Sequence, residues 1–106
     1  MATEYREIFF TNTEVMRGLT TLKRSLGDPI PSGSVIDIKL AADSDHPFTV
    51  ELATDGAGRL TICPYRGELA AALLVYCRQV RIPIPVNARK SVDVKNGRVV
   101  LRIEID

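Results

Sequence analysis

The residues of this sequence that are best suited to chemistry are basic, and they cluster in its last third. The segment from Arg78 to Arg102 contains one acid, Asp93, and seven basic residues: Arg78, Arg81, Arg89, Lys90, Lys95, Arg98 and Arg102. Residues 1–55 have a net charge of −4 and residues 56–106 a net charge of +5, so the whole chain is close to neutral at +1. Clustered guanidinium groups bind carboxylates or phosphates. The alternative is that these charges are simply solvated and contribute little.

Two pairs within this cluster are the candidate binding residues. Arg78 and Arg81 are one helical turn apart near the predicted end of a helix, where they can also complement the helix dipole. Arg89 and Lys90 follow the Ile-Pro-Ile-Pro segment 82–85, which is stiff and cannot be helical. We therefore predict a non-enzymatic binding or adaptor module that presents these four residues to an acidic protein partner. The alternative is that the same patch binds the phosphates of a nucleic acid or nucleotide.

The aromatic residues bear on the choice between these two ligands. Proteins that bind RNA on a sheet normally stack bases on aromatic residues of the central strands. The chain has no Trp, and its few aromatic residues are not interleaved with the basic segment: Tyr5, Phe9, Phe10, Phe48, Tyr65 and Tyr76. This arrangement favours a protein partner over nucleic acid.

Catalytic and metal-binding patterns are weak. The single histidine, His46, lies in Asp-Ser-Asp-His-Pro, residues 43–47, whose composition is typical of a turn. No second His or Cys lies nearby to complete a metal site. Nothing ties His46 to Cys63 or to a serine as base and nucleophile, and the glycines at 56 and 58 do not form a phosphate-binding loop. We therefore predict no enzyme, no catalytic residue, no metal and no cofactor.

Length and composition indicate one folded domain spanning residues 1–106, with 45% hydrophobic and 25% charged residues. The N-terminus lacks the basic start and apolar stretch of a signal peptide. The longest apolar run, residues 69–77, is too short to cross a bilayer. The two cysteines, Cys63 and Cys77, do not form a disulfide framework. We therefore expect a cytoplasmic protein that does not bind membranes.

Hydrophobic alternation predicts strands at 5–10, 35–40, 48–52 and 59–63. Thr11 and Glu14 have the spacing of a capping box, which predicts that a helix begins there, and Gly27 is suited to its left-handed end. Gly18 costs this helix about 1 kcal/mol relative to alanine. We therefore expect it to mark a place of close packing.

The second half predicts a helix from residue 64 to about 81 and then a β-hairpin. Asn96-Gly97 is the preferred pair for a type I′ turn, and it sets Val94 opposite Val99 and, two residues further along, Val92 opposite Leu101. The fold class is α+β: a single two-layer domain in the order β-α-β-β-β-α-β-β. We expect one largely antiparallel sheet with two helices on one face.

Self-association is predicted by two features. The second helix is apolar around most of its circumference, so either the first helix or a second subunit must cover the side that does not face the sheet. The opposite net charges of the two halves can also pair two copies of the chain. We therefore expect a homo-oligomer, in the simplest case a homodimer.

Three short stretches resemble a recurring signature of small uncharacterised bacterial proteins. They are LVYCR at residues 74–78, RIPIP at 81–85 and ARKS at 88–91. That family has no assigned activity, so the resemblance transfers no catalytic or binding residue. It implies a bacterial, cytoplasmic protein with a defined role for the segment from Arg81 to Ser91.

Overall fold

A computed structural model describes residues 3–56 and 58–105. Its elements follow the predicted order: β1 (Glu4–Phe10), α1 (Asn12–Ser25), β2 (Gly33–Leu40), β3 (Phe48–Thr54), β4 (Gly58–Ile62), α2 (Arg66–Gln79), β5 (Arg89–Lys95) and β6 (Arg98–Ile105). All pairings between these strands are antiparallel. The predicted α+β class and element order are therefore confirmed. No helix in the described part of the chain is long and apolar enough to cross a membrane.

The described strands form two three-stranded sheets rather than the single sheet that we expected. We call them sheet A, in the order β1-β6-β5, and sheet B, in the order β2-β3-β4. Sheet A joins the two ends of the chain, because β1 pairs with β6 from Glu4–Ile105 to Phe10–Val99. Alternation of apolar residues identifies a strand but not its partner, since every strand offers the same backbone donors and acceptors. The molecule is elongated, with dimensions of 56 × 27 × 19 Å.

The two helices pack directly on each other. The capping box is present: Glu14 N donates to Thr11 Oγ1 at 3.2 Å, and Thr11 N donates to Glu14 Oε1 at 2.8 Å. The second carboxylate oxygen of Glu14 accepts from the Tyr76 hydroxyl of α2 at 2.9 Å. A Cβ on Gly18 would lie 2.4 Å from the carbonyl oxygen of Ala72. Gly18 therefore allows the helices to approach closely, and α1 covers the side of α2 that we had left to either α1 or a second subunit.

The C-terminal hairpin follows the predicted register. Asn96 and Gly97 have φ angles of +54° and +71°, as a type I′ turn requires. Val94 pairs with Val99 and Val92 with Leu101. Val92, Val99 and Leu101 belong to the core, whose other buried members come from both helices, both sheets and the loop before β5: Phe10, Val15, Leu19, Phe48, Val50, Leu52, Leu69, Ala72, Leu73, Tyr76, Cys77, Ala88 and Ile103.

Arg66 connects the two sheets at the start of α2. Its guanidinium donates to the carbonyl oxygens of Ser44 at 3.1 Å and of Ala42, both in the turn between β2 and β3. It also donates to the carbonyl oxygen of Val92 in β5 at 2.6 Å. The Arg66 side chain therefore joins sheet B to sheet A, in addition to the apolar core that the sheets share.

Candidate functional site: a cationic groove beside the second helix

A surface groove of about 310 Å³ lies beside α2, and it contains two of the four predicted binding residues. We call it the cationic groove, and its lining residues are Leu74, Arg78, Ile82, Ile84, Val86 and Lys90. Leu74 and Arg78 are four residues apart, so they share one face of α2. Val86 is 94% exposed. The groove thus combines an apolar wall with two cations, one from the helix and one from β5.

The segment that forms the apolar wall is held from three sides. The Ile82 amide donates to the carbonyl oxygen of Cys77 at 2.8 Å. Arg6 of β1 donates to the carbonyl oxygen of Pro83 at 3.1 Å, and the Lys90 ammonium donates to that of Val86 at 3.1 Å. The prolines at 83 and 85 restrict the backbone between these contacts. The groove is therefore largely formed before any ligand arrives.

The two cations of the groove have no carboxylate partner within residues 3–56 and 58–105. Among the residues that the structure describes, neither Arg78 nor Lys90 forms an ion pair. Lys90 uses its ammonium on a neutral carbonyl, which leaves its charge uncompensated and two of its donors available. An anionic group in the groove would therefore meet positive charge that no acid within the described chain neutralises.

Arg81 ends α2 in an unusual conformation. The amides of Arg81 and Ile82 donate to the carbonyl oxygens of Arg78 and Cys77, respectively, which is the Schellman pattern of a helix C-terminus. Arg81 occupies the left-handed position of this motif with a φ of +62°. Glycine normally takes that position. Arg81 is exposed but does not line the cationic groove.

Arg89 lies on the opposite face of sheet A from Lys90, because successive residues of a strand point to opposite sides. Its guanidinium forms an ion pair with Glu104 of the adjacent strand at 3.1 Å. The four predicted residues therefore do not form one patch: Arg78 and Lys90 share the groove, Arg81 lies just beyond the helix end, and Arg89 belongs to the outer face of the sheet.

Acids from other strands partly neutralise the rest of the basic cluster. Arg102 contacts Asp93 at 2.7 Å and Glu7 at 3.7 Å, and Lys95 contacts Glu7 at 3.2 Å. The hydrogen bond from Lys95 lowers the pKa of Glu7 below its ordinary value, and the charge of Arg102 acts in the same direction. The pairing of β1 with β6, which the sequence did not reveal, brings Glu7 to this position.

The outer face of sheet A corrects our expectation about the aromatic residues. Tyr5 pairs with Glu104 and Phe9 with Val100, so both lie on the face that carries Arg98 and Arg102. Tyr5 is 54% and Phe9 39% exposed. They were not interleaved with the basic residues in the sequence, but the fold places them together. Glu7 lies between the two rings on the same strand face, where its ion pairs with Lys95 and Arg102 engage cations that a phosphate backbone would need.

The histidine and the cysteines have structural contacts. The Ser44 hydroxyl accepts from the His46 amide at 3.0 Å, and His46 Nδ1 donates to the carbonyl oxygen of Cys63 at 2.7 Å. The His46 ring also lies against Tyr65, with 4.2 Å between ring centroids. Cys63 is exposed, whereas Cys77 is buried and burial raises the pKa of its thiol. Within residues 3–56 and 58–105, no group of three or more His, Cys, Asp or Glu side chains is arranged to hold a metal ion.

A second groove, of about 270 Å³, lies between the loop after α1 and β4. Its two charged groups from the helices, Lys23 and Glu68, contact each other at 2.9 Å. Asp28 is the remaining charged residue of its lining, so this groove has one cation, which is already ion-paired, and no concentration of positive charge like that of the cationic groove.

Sequence reasoning found the two cations of the cationic groove but missed its apolar wall. We had interpreted the Ile-Pro-Ile-Pro segment only as a stiff connection. The available signal was the composition of this segment. Apolar residues at 82, 84 and 86 alternate with two prolines and are followed by an asparagine, in a stretch that belongs to neither a helical nor a strand pattern.

The chain matches no family model, no curated protein and no solved structure.

Proposed function

We propose that this protein is a non-enzymatic binding module whose cationic groove holds an acidic, apolar segment of a protein partner. The observation that carries the proposal is the combination of Arg78 and Lys90, which have no ion-pair partner among the described residues, with the apolar side chains of Ile82, Ile84 and Val86. A carboxylate would satisfy the two cations. Apolar side chains would cover the wall, whose most exposed member is Val86.

Two properties favour a protein segment over nucleic acid. The groove is mostly apolar, whereas phosphate backbones are bound by rows of cations that act over several nucleotides. The exposed aromatic residues Tyr5 and Phe9, whose rings could stack bases, lie on the outer face of sheet A together with Glu7 and not in the groove. Phosphate binding therefore remains the alternative that the same assay tests.

The test is fluorescence anisotropy with four labelled probes. They are a peptide of alternating Leu and Asp, a peptide of Ser and Asp, a peptide of Leu and Lys, and an oligothymidylate. We expect the Leu-Asp peptide to bind best, because only that probe satisfies both the charges and the apolar wall. Tighter binding of the oligothymidylate, with a steep loss of affinity as salt increases, would support phosphate binding instead.

Variants locate the binding site. Arg78→Gln combined with Lys90→Gln should weaken the Leu-Asp peptide about tenfold, which corresponds to about 1.4 kcal/mol for two partly solvated charges. Val86→Ser should weaken it about fivefold through lost apolar contact, and the fold should tolerate this change because Val86 is 94% exposed. Arg17→Gln combined with Arg24→Gln removes the same charge from α1 and serves as the matched control. Equal losses in the control and groove variants would refute the proposal.

A further inference from the structure

The cationic groove lies beside an outer strand of sheet A. β5 is at the edge of that sheet, because β6 lies between it and β1. α2 packs on β5, and Lys90 of β5 lines the groove together with Leu74 and Arg78 of α2. A segment held in the groove is therefore within reach of the backbone of β5.

The hairpin turn decides which backbone groups of β5 point to this edge. In a two-residue hairpin the residues that flank the turn, here Lys95 and Arg98, exchange both of their backbone hydrogen bonds. Lys95 and every second residue before it therefore direct their N–H and C=O towards β6. The backbone groups of the residues between them, Lys90, Val92 and Val94, point away from β6 and form the edge.

Two hydrogen bonds close the part of this edge that is nearer to the turn. The carbonyl oxygen of Val92 accepts from Arg66 at 2.6 Å, and the Val94 amide donates to Asp93 Oδ1 at 2.8 Å. The described part of the chain supplies no such partner for the N–H and C=O of Lys90. Unpaired donors and acceptors at a sheet edge are a template for another strand. The open part of the edge is thus the part beside the groove.

We propose that the occupant of the cationic groove is an extended segment of a partner protein, which adds to the edge of β5 as a further antiparallel strand of sheet A. This inference rests on the proposed function, since it names the conformation and side-chain pattern of the segment that the same groove holds. The antiparallel direction suits this edge, because one residue of the segment can then exchange both hydrogen bonds with Lys90. In this mode of binding the backbone supplies affinity and the groove selects the side chains.

The pairing determines which side chains of the segment enter the groove. Residues opposite each other in an antiparallel pair point to the same face of the sheet, so the residue opposite Lys90 points to the groove, which Arg78 lines from α2. A carboxylate at this position would bind these cations. Residues two positions away point to the same face, where the apolar wall lies: Ile82, Ile84 and Val86. The segment therefore needs an acid with apolar residues two positions from it.

Two labelled peptides of equal composition test this pattern. In Thr-Leu-Thr-Asp-Thr-Leu-Thr, the patterned peptide, the Asp and both Leu share one face of a strand. In Thr-Leu-Asp-Thr-Thr-Leu-Thr, the permuted peptide, the Asp lies on the opposite face and the Leu residues keep their places. In fluorescence anisotropy, the patterned peptide should bind about fivefold tighter, because only its carboxylate enters the groove. Equal affinities would refute the strand arrangement.

N-methylation distinguishes an added strand from other ways of filling the groove. In the added strand the amide of the central Asp donates to the carbonyl oxygen of Lys90, whereas the amides of the neighbouring Thr residues point away from β5. Methylation of the Asp amide should weaken the patterned peptide at least about tenfold. Methylation of the next Thr amide is the matched control and should cost less than about twofold. Equal losses in the two methylated peptides would contradict strand addition.

Amide hydrogen exchange followed by NMR reports the same contact from the protein. The Lys90 amide should exchange at least about tenfold more slowly with saturating patterned peptide. The Ser91 amide should change much less, because it already bonds to β6. Unchanged exchange at Lys90 with the peptide bound would overturn the inference. Protection of Lys90 that grows with protein concentration without peptide would show that a second copy fills the edge, and would overturn the choice of occupant.

The outcomes also separate this inference from the proposed function. If both peptides bind equally and Arg78→Gln with Lys90→Gln weakens both, the groove holds an acidic segment in another conformation, and only the strand arrangement fails. If no peptide of Leu and Asp binds, both proposals fail. If binding is sensitive to N-methylation but not to these substitutions, the added strand lies at a different edge, and both proposals fail for this groove.

Discussion

Removal of the Arg66 side chain should abolish hydrogen bonds that link the two sheets and strongly destabilise the fold. The guanidinium donates to three backbone carbonyl oxygens, two in the turn between β2 and β3 and one in β5. In Arg66→Ala these oxygens lose their donor at once. Because one acceptor lies in β5 of sheet A and two lie in a turn of sheet B, the lost hydrogen bonds are ones that link the two sheets.

The magnitude follows from the number and kind of contacts. A hydrogen bond from a charged donor contributes about 1.5–3 kcal/mol, and the lower value applies because Arg66 is only half-buried. Three such bonds contribute about 4.5 kcal/mol, against which about 1.5–2 kcal/mol of side-chain entropy is regained on removal. Arg66→Ala should therefore lower the free energy of unfolding by about 3 kcal/mol. For a domain of this size that corresponds to a fall in Tm of roughly 12–20 °C.

Urea unfolding followed by circular dichroism measures this change. Arg59→Ala is the control, because Arg59 is an exposed arginine whose ion pair with Glu51 at 3.2 Å should contribute less than about 1 kcal/mol. Arg66→Lys should recover less than half of the loss, since an ammonium cannot match the fork of the guanidinium. If Arg66→Ala and Arg59→Ala cost the same, the reasoning that Arg66 connects the sheets is wrong.

Two further predictions concern helix ends. Arg81→Gly should raise the free energy of unfolding by about 0.5 kcal/mol, because a φ of +62° costs arginine about 1 kcal/mol and glycine's greater freedom in the unfolded chain cancels part of the gain. Gly27→Ala, at the equivalent position of α1, should lower the free energy of unfolding. Thermal melts in which both variants shift Tm in the same direction would contradict this account. The backbone hydrogen bond from Thr11 lowers the pKa of the Glu14 carboxyl in the folded protein. The ionised carboxylate therefore contributes its full stabilisation above the ordinary glutamate pKa of about 4.3. That stabilisation is lost as the pH falls through the lower pKa of the folded state. Glu14→Gln should therefore give a flatter dependence of Tm on pH between about pH 5 and pH 3, and an unchanged slope would refute the role of the carboxylate.

The basic cluster illustrates how a fold changes the meaning of a charge pattern. In the sequence, Arg102 and Lys95 belong to a segment with a single acid. In the structure, Glu7 comes from the other end of the chain and contacts both of them. Charges that were indistinguishable in the sequence thus have different surroundings. Arg89, Lys95 and Arg102 form ion pairs on the outer face of sheet A, whereas Arg78 and Lys90 line an apolar groove.

Features that depend on neighbouring residues could be predicted from the sequence. The capping box of Thr11 and Glu14 spans three residues, and the turn at Asn96-Gly97 sets its own register. Such interactions involve few alternatives, because the chain between the partners is too short to reach any other geometry. The strand and helix boundaries near these features were accurate for the same reason.

Features that depend on distant residues required the tertiary structure. The pairing of β1 with β6, the division into two sheets and the closeness of Tyr5 and Phe9 to Arg98 and Arg102 join residues that are far apart in the chain. Backbone hydrogen bonds are the same for every possible strand partner, so only the packing of the whole core selects one. The sequence therefore determined which residues are cationic and which segments are strands or helices. The tertiary structure decided which cations pair with acids of the described residues and which lie beside the apolar wall of the groove.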